Sequence, residues 1–355
     1  MSHSRTKAVI IGRFQPFHNG HAKLLQEAVK IAEEVHIIIG SASCYPNIDN
    51  PFTVEDRAKM IRSYIYGSGN FTPDQRIRFK ISAVNDYRYN DERWKTEVRS
   101  LINEKDEDEV IMVGFDKDPD SYWLREFGWS LHEVEPYAPH GGMPYSATTL
   151  RNVYFSIEDA SKIVDQATAV PVETRAFLKA FCTSAEFRRI AEERSYYDRE
   201  IEKFKDYPYK GSMHFCTADN VVVCNNHLLV IERKFTPGKG AWALPGGHKD
   251  ENETFKACAV RELLEEVKIK VPEKVIRGSI KDSHLFDHPN RCVVFNKPTV
   301  AQYIILQPDA DGSLPRVKGD SDASRAFWVP MHKVRQNAAR FFDDHYEIVV
   351  HFTGI

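Results

Sequence analysis

The spacing of apolar residues changes along the chain, and the changes outline two folds of different kinds. Residues 7–11 carry a short apolar run, Ala8-Val9-Ile10-Ile11, as a buried strand does. A loop bounded by Gly12 and Gly20 follows. Leu24, Leu25, Ala28, Val29 and Ala32 then recur at helical spacing across residues 21–34. Residues 35–39 form a second apolar run, closed by Gly40. Strand, Gly-bounded loop, helix and strand make a βαβ unit, which predicts a parallel sheet. Residues 109–113 before Gly114 read as a further strand, and Ser146 as the cap of a helix starting at Ala147.

Residues 173–205 lack Gly and Pro, are rich in Glu, Arg, Lys and Ala, and predict helix. Tyr207-Pro208-Tyr209-Lys210-Gly211 breaks that pattern. Beyond it, strands are expected at 220–224, 228–232, 293–295 and 299–306, with one strong helix at 254–267. For a chain of 355 residues the division predicts two domains, 1–185 and 207–355, joined by a helical connector at 186–206.

Composition narrows the function classes. Hydrophobic residues are 42% and charged residues 28%, enough apolar mass for a core in each half. With 48 Lys+Arg against 51 Asp+Glu the formal charge is −3, so no global positive field draws in a nucleic-acid backbone or an anionic membrane. No apolar run approaches the ~20 residues of a membrane helix. The six cysteines, Cys44, Cys182, Cys216, Cys224, Cys258 and Cys292, include no Cys-x-x-Cys pair, which points to a reduced, cytoplasmic protein. No nucleic-acid or membrane partner is expected, and a homo-oligomer is compatible with the sequence.

The first candidate site is Gly12-Arg13-Phe14-Gln15-Pro16-Phe17-His18-Asn19-Gly20-His21. It sits at the carboxyl end of a strand and the start of a helix, where free N–H groups and the helix dipole favour an anion such as phosphate. It has neither the Gly-Lys-Ser/Thr end of a P-loop nor dinucleotide-fingerprint glycine spacing. Two imidazoles three residues apart and an arginine stand there instead, all able to donate to phosphate oxygens. Taken alone, His-x-x-His also suits ordinary loop histidines or metal ligands.

This loop resembles the His-x-Gly-His loop of the nucleotidyltransferase superfamily, especially its archaeal-type nicotinamide-mononucleotide adenylyltransferase branch. Asn50-Pro51-Phe52-Thr53 with Arg57, Trp94 after Asp86-Tyr87-Arg88-Tyr89-Asn90, and Ser146, Thr148 and Arg151 of a Ser-x-Thr-x-x-Arg signature extend the likeness over about the first 155 residues. The resemblance implies transfer of AMP from ATP to nicotinamide mononucleotide (NMN), giving NAD and pyrophosphate. It makes His18, His21, Arg13 and Arg151 the catalytic set, holding the triphosphate and the pentacoordinate transition state. It places Gly12, Phe14, Gln15, Gly20, Ser146 and Thr148 in substrate binding, with Trp94 stacking on the nicotinamide ring. Relatives adenylylating pantetheine phosphate, flavin mononucleotide or nicotinate mononucleotide form the alternative. Archaeal members tend to carry a basic residue just before Asn50-Pro51-Phe52-Thr53; this chain has Asp49.

The second candidate site begins at Pro245-Gly246-Gly247 and runs to Arg261-Glu262-Leu263-Leu264-Glu265-Glu266. Glu262, Glu265 and Glu266 share one helix face, where like charges repel by a few tenths of a kcal/mol per pair. A hard divalent cation removes that repulsion, and carboxylate oxygens suit Mg²⁺ or Mn²⁺. The string by itself also describes an exposed charged helix with an Arg261–Glu265 pair. Gly247, Glu253 and the acidic helix together resemble the Nudix box. That resemblance makes Glu262, Glu265, Glu266 and Glu253 the metal site, with Glu253 acting through Arg261 or the metal, Glu262 and Glu266 catalytic, and Gly247 contacting substrate. Lys268 stands where the box usually has Gly, so the helix either runs on or ends in a left-handed residue.

Both boxes in one chain resemble the bifunctional NMN adenylyltransferase/Nudix hydrolase family. The fold implied is an N-terminal α/β, doubly wound, Rossmann-like parallel sheet followed by an α+β Nudix fold. The implied partners are ATP, NMN, NAD and ADP-ribose, the last hydrolysed to AMP and ribose 5-phosphate. Phe286-Asp287-His288-Pro289-Asn290-Arg291 resembles a segment these proteins carry after the box, usually continued by Arg-Gly-Arg, but here the chain continues Cys292-Val293-Val294-Phe295-Asn296-Lys297. A Nudix domain that binds ADP-ribose without cleaving it is the alternative from a different class. Retention of Glu262, Glu265 and Glu266 speaks against it.

Overall fold

The computed structural model describes residues 5–67, 69–115, 123–138, 146–156, 160, 164, 168–207 and 214–355. The expected break at Pro208-Tyr209-Lys210-Gly211 lies outside them. The chain divides into two compact units, Met1–Ala42 with Pro46–Arg194, and Ser43–Tyr45 with Ser195–Ile355.

The first unit is built on a parallel five-stranded sheet: β1 Thr6–Gly12, β2 Glu34–Ile39, β3 Phe79–Ala83, β4 Glu109–Gly114 and β5 Ser130–Glu133. Their order is β3-β2-β1-β4-β5. All six residues of β2 are buried, and so are Ala8, Val9 and Ile10 of β1, as expected for strands covered on both faces. Strand order reverses between β1 and β4, so a crevice opens beyond their carboxyl ends. The loop 12–20 leaves β1 there. The helix that follows spans Asn19–Ile31: it starts before the limit its apolar spacing suggests because His18 caps it, and it ends early because Ala32 is already extended at φ −137°.

The helix expected over 173–205 is two helices, Val172–Phe181 and Ala185–Lys203. Between them the Ser184 hydroxyl accepts the Phe187 N–H at 3.0 Å, an N-cap that starts the second helix afresh. The break at 182–184 is only three residues long and contains no Gly or Pro, so local composition does not mark it.

The second unit contains β6 Thr217–Cys224, β7 His227–Arg233, β8 Trp242–Ala243, β9 Gly246–His248, β10 Ile280–Phe286, β11 Thr299–Leu306 and β12 Ala323–Pro330. The main path is β10-β11-β6-β7-β12, with β8 on β7 and β9 on β6. The β6–β7 hairpin turns on Asn225 and Asn226, at φ 42° and 58°, the positive pair a two-residue hairpin loop needs. The helix Phe255–Val267 packs Val260, Leu263 and Val267 against Val222, Leu229, Ile231 and Ile304. Burying each such side chain stabilises by roughly 1.5–3 kcal/mol. Residues 293–295 are not a strand. Phe295 sits at φ 62°, incompatible with an extended run, and its ring packs edge-on against Phe204 instead. Among the described residues, no helix is long and apolar enough to cross a membrane.

Candidate active sites

The loop after β1 closes on itself through two imidazoles. His18 Nδ1 accepts the Gly20 N–H at 3.1 Å, and His21 Nδ1 accepts the His18 N–H at 3.3 Å. This is a capping box made with histidine rings, whose centroids lie 3.9 Å apart. Because Nδ1 is the acceptor in both, the ring proton belongs on Nε2, and each neutral ring is a donor. Burial lowers the His18 pKa to about 4; burial, then the nearby His18 charge, holds His21 well below the ordinary histidine value. Gly20 is required by packing: a Cβ there would sit 2.8 Å from His18 Cε1.

Two buried arginines fix the surroundings. Arg57 Nη1 donates to the carbonyls of Arg13 (2.9 Å) and Gly40 (2.6 Å), and Nη2 to that of Ser41 (3.1 Å). Arg151 Nη1 donates to the Gln15 carbonyl at 2.8 Å and Nη2 to Thr148 Oγ1 at 3.2 Å. Burial, then the charge of Arg13, lowers the Arg151 pKa to about 10, which leaves it a cation at neutral pH. Ser146 caps the helix Ala147–Tyr154, its hydroxyl accepting the Thr149 N–H at 3.2 Å.

These residues surround a cavity of about 300 Å³ lined by Arg13, Phe14, Gln15, His18, Gly20, His21, Ser146, Thr148 and Arg151. Several of the expected residues also have partners within the protein. Both ends of the Gln15 side-chain amide are tied to the backbone of Phe52 at 3.0 Å, so it braces the loop. Gly12 lies just behind the wall, where a Cβ would meet the Phe14 ring at 3.3 Å. Trp94 is absent from the described lining. It meets Trp123 edge-on at 6.2 Å, and Trp123 lines the cavity together with Tyr137. Asp49, the departure noted above, stands 3.7 Å from Arg151 Nη2. The positions of Trp123 and Tyr137 carry no spacing signal, since the sheet brings them in from after β4 and β5.

In the second unit Arg261 gathers the acids of the box. Its Nε and Nη2 reach both oxygens of Glu253 (3.2 and 2.7 Å), while Nη1 reaches Glu262 (2.8 Å) and Glu265 (3.2 Å). The Arg261 hydrogen bond is the main cause holding the Glu253 pKa down at about 2. Glu262 packs onto Gly247, where a Cβ would lie 2.6 Å from its carboxyl carbon. Burial raises the Glu262 pKa. Glu266, 6% exposed, accepts the Gly246 N–H at 2.9 Å, and burial pushes its pKa up to about 8. Lys268 takes the left-handed alternative at φ 43°, ending the helix. The carbonyls left at that end accept N–H groups of Asp320 (2.8 Å, to Glu266) and Lys318 (2.9 Å, to Val267).

Glu266 and Gly247 line a cavity of about 270 Å³, which Asp219, Arg233, Arg291, Asp343 and His345 also line. Glu262, Glu265 and Glu253 are not in its described lining. Among the described residues no three His, Cys, Asp or Glu side chains converge as a ready-made metal cage. The donor set nonetheless suits a hard cation: a buried carboxylate whose ionisation is opposed by its surroundings gains most from one. Arg291 is held within the protein, its Nε and Nη2 gripping the two Asp344 oxygens at 2.9 Å each. Asp219, Arg233 and Asp343 went unread in the sequence because they lie far from the box.

Comparison with known proteins agrees with this geometry. The cytidylyltransferase-like family matches residues 9–127, and the NUDIX domain family residues 214–352. A nicotinamide/nicotinic acid mononucleotide adenylyltransferase of Acinetobacter baylyi is 35% identical over 185 residues, 51% of this chain and 89% of that protein. A nicotinamide-nucleotide adenylyltransferase of Thermococcus onnurineus is 33% identical over 108 residues, 30% of this chain and about half (53%) of that protein. A solved bifunctional NMN adenylyltransferase/ADP-ribose pyrophosphatase of Francisella tularensis, in complex with AMP and a manganese ion, superposes with a TM-score of 0.86. It is 28% identical, and the match covers 99% of each chain.

Proposed function

The chain belongs to the bifunctional NMN adenylyltransferase/Nudix family, and we propose that its first unit joins ATP and NMN into NAD and pyrophosphate while its second hydrolyses ADP-ribose. The observation that carries the first reading is the pair of Nε2–H imidazoles beside Arg13 and Arg151 at the reversal of the parallel sheet. The nucleophile of adenylyl transfer is already a phosphate anion and needs no base. The site therefore has to orient two anions and neutralise charge as it develops. His18, His21, Arg13 and Arg151 are the donors for that task, and the first turn of the helix after Ser146 lines the same cavity through Ala147 and Thr148.

In the second unit the buried Glu266 carries the reading, with Glu262 and Glu265 as further oxygen donors for a divalent cation, Mg²⁺ or Mn²⁺. Glu253 acts through Arg261, which occupies both its oxygens. The bound cation would neutralise the diphosphate and polarise its bridge. Arg261 draws Glu253, Glu262 and Glu265 together, and the surrounding residues shape the cavity.

The test is direct. Purified protein is incubated with ATP, Mg²⁺ and, in parallel, NMN, nicotinate mononucleotide, pantetheine phosphate or flavin mononucleotide, and separately with ADP-ribose. NAD in the first and AMP plus ribose 5-phosphate in the last are the expected products. Turnover of another acceptor in preference to NMN refutes the first assignment, and intact ADP-ribose refutes the second.

A further inference from the structure

Residues 342–345 cross the wall of the second cavity, and three of the four are fixed. The Phe342 N–H donates to the Trp242 carbonyl at 2.8 Å. Asp344 receives Arg291 on both oxygens at 2.9 Å, and His345 Nδ1 accepts the Leu244 N–H at 2.9 Å. Asp343 differs. It lines the cavity with its backbone in the left-handed region at φ 44°, and its carboxylate has no hydrogen bond or ion pair among the described residues. Such a conformation, held by pinned neighbours, is the kind of local strain that functional sites retain. The other cavity carboxylates are engaged or peripheral. Asp219 accepts from Thr299 at 2.7 Å, Glu266 from Gly246 at 2.9 Å, and Asp322 is exposed.

We propose that Asp343 is the general base of the hydrolysis, an inference that rests on reading the second unit as a Nudix hydrolase. The oxygen of a water bonds to phosphorus as the bridging P–O bond breaks, and the departing phosphate keeps that electron pair. One water proton passes to an Asp343 oxygen and then to solvent; the other stays on the new phosphate oxygen. The charged and titratable groups facing Asp343 are Asp344, His345, Arg291, Arg233 and Cys292. Burial, then Asp344, raises its pKa to about 6, so it is ionised at neutral pH yet basic enough to accept a proton.

The test is Asp343→Asn in the full chain, with Asp343→Glu as the conservative variant. Asn tolerates the left-handed backbone as Asp does, so the fold is preserved. For Asn, kcat for ADP-ribose should fall about 10²–10⁴-fold. Its Kd for Mn²⁺ and for ADP-ribose in EDTA should change less than about threefold, NAD synthesis should persist, and the acid limb of the hydrolytic pH profile should disappear. Glu should restore part of kcat. A kcat near wild type in the Asn variant overturns the proposal. So does a fall in kcat matched by a loss of Mn²⁺ affinity, which would make Asp343 a cation ligand. A wild-type protein inert towards ADP-ribose and other nucleoside diphosphate conjugates removes the Nudix reading itself, a result separable from either.

Discussion

Glu266→Gln should stabilise the cation-free protein at neutral pH while abolishing the hydrolysis. The carboxyl is 6% exposed and has a pKa near 8, against an ordinary 4.5. A group whose pKa is raised by folding contributes stability in full below its unfolded value, and that stability is lost as pH climbs towards the folded value. At about 1.4 kcal/mol per pH unit, the wild type gives up roughly 3 kcal/mol between pH 4.5 and pH 7. Glutamine still offers an oxygen to the Gly246 N–H, 2.9 Å from the carboxylate in the wild type, but carries no proton to lose. Calorimetry of the whole chain in EDTA should follow the transition that shifts when Mn²⁺ is added to wild type. Relative to wild type, the variant's transition should gain roughly 5–10 °C between about pH 5 and about pH 7.5. Mn²⁺ should raise the wild-type transition and leave the variant's unmoved. A variant-to-wild-type difference that is the same at both pH values would refute the reasoning, because burial would then not be opposing ionisation of this carboxyl.

The remaining expectations concern both sites. His18→Ala or His21→Ala should abolish NAD formation and leave ADP-ribose hydrolysis intact, measured side by side; loss of both activities in a folded protein contradicts independent sites. Gly20→Ala pushes a methyl to 2.8 Å from His18 Cε1 and should cut adenylyl transfer at least about tenfold, as small misplacements of catalytic groups do. With His18 lowered to about 4 and His21 lowered too, both rings are neutral donors across the usual assay range. Once ATP's own ionisation is allowed for, kcat/KM for ATP should show no histidine inflection near 6.5, and one there would show that the rings titrate as cations.

Much of the molecule could be read in one dimension, and the reason is locality. The βαβ start, the imidazole loop and the acidic face of the helix Phe255–Val267 each lie within a few turns or strands of chain, so sequence spacing reports them directly. The same holds for the two outcomes open at Lys268, although only the fold chose between them. What tertiary structure decided was whatever depends on distant segments meeting. The loop around residue 15 is braced by Phe52 and Arg151, 37 and 136 positions away. Among the described residues Trp123, and not Trp94, lines the first cavity, because chain from beyond β4 forms that wall. Asp219, Arg233 and Asp343 join Glu266 only when β6, β7 and the segment before the last helix close around one space. The pKa values followed the same division: a sequence names the ionisable groups, but burial by remote neighbours sets their charge.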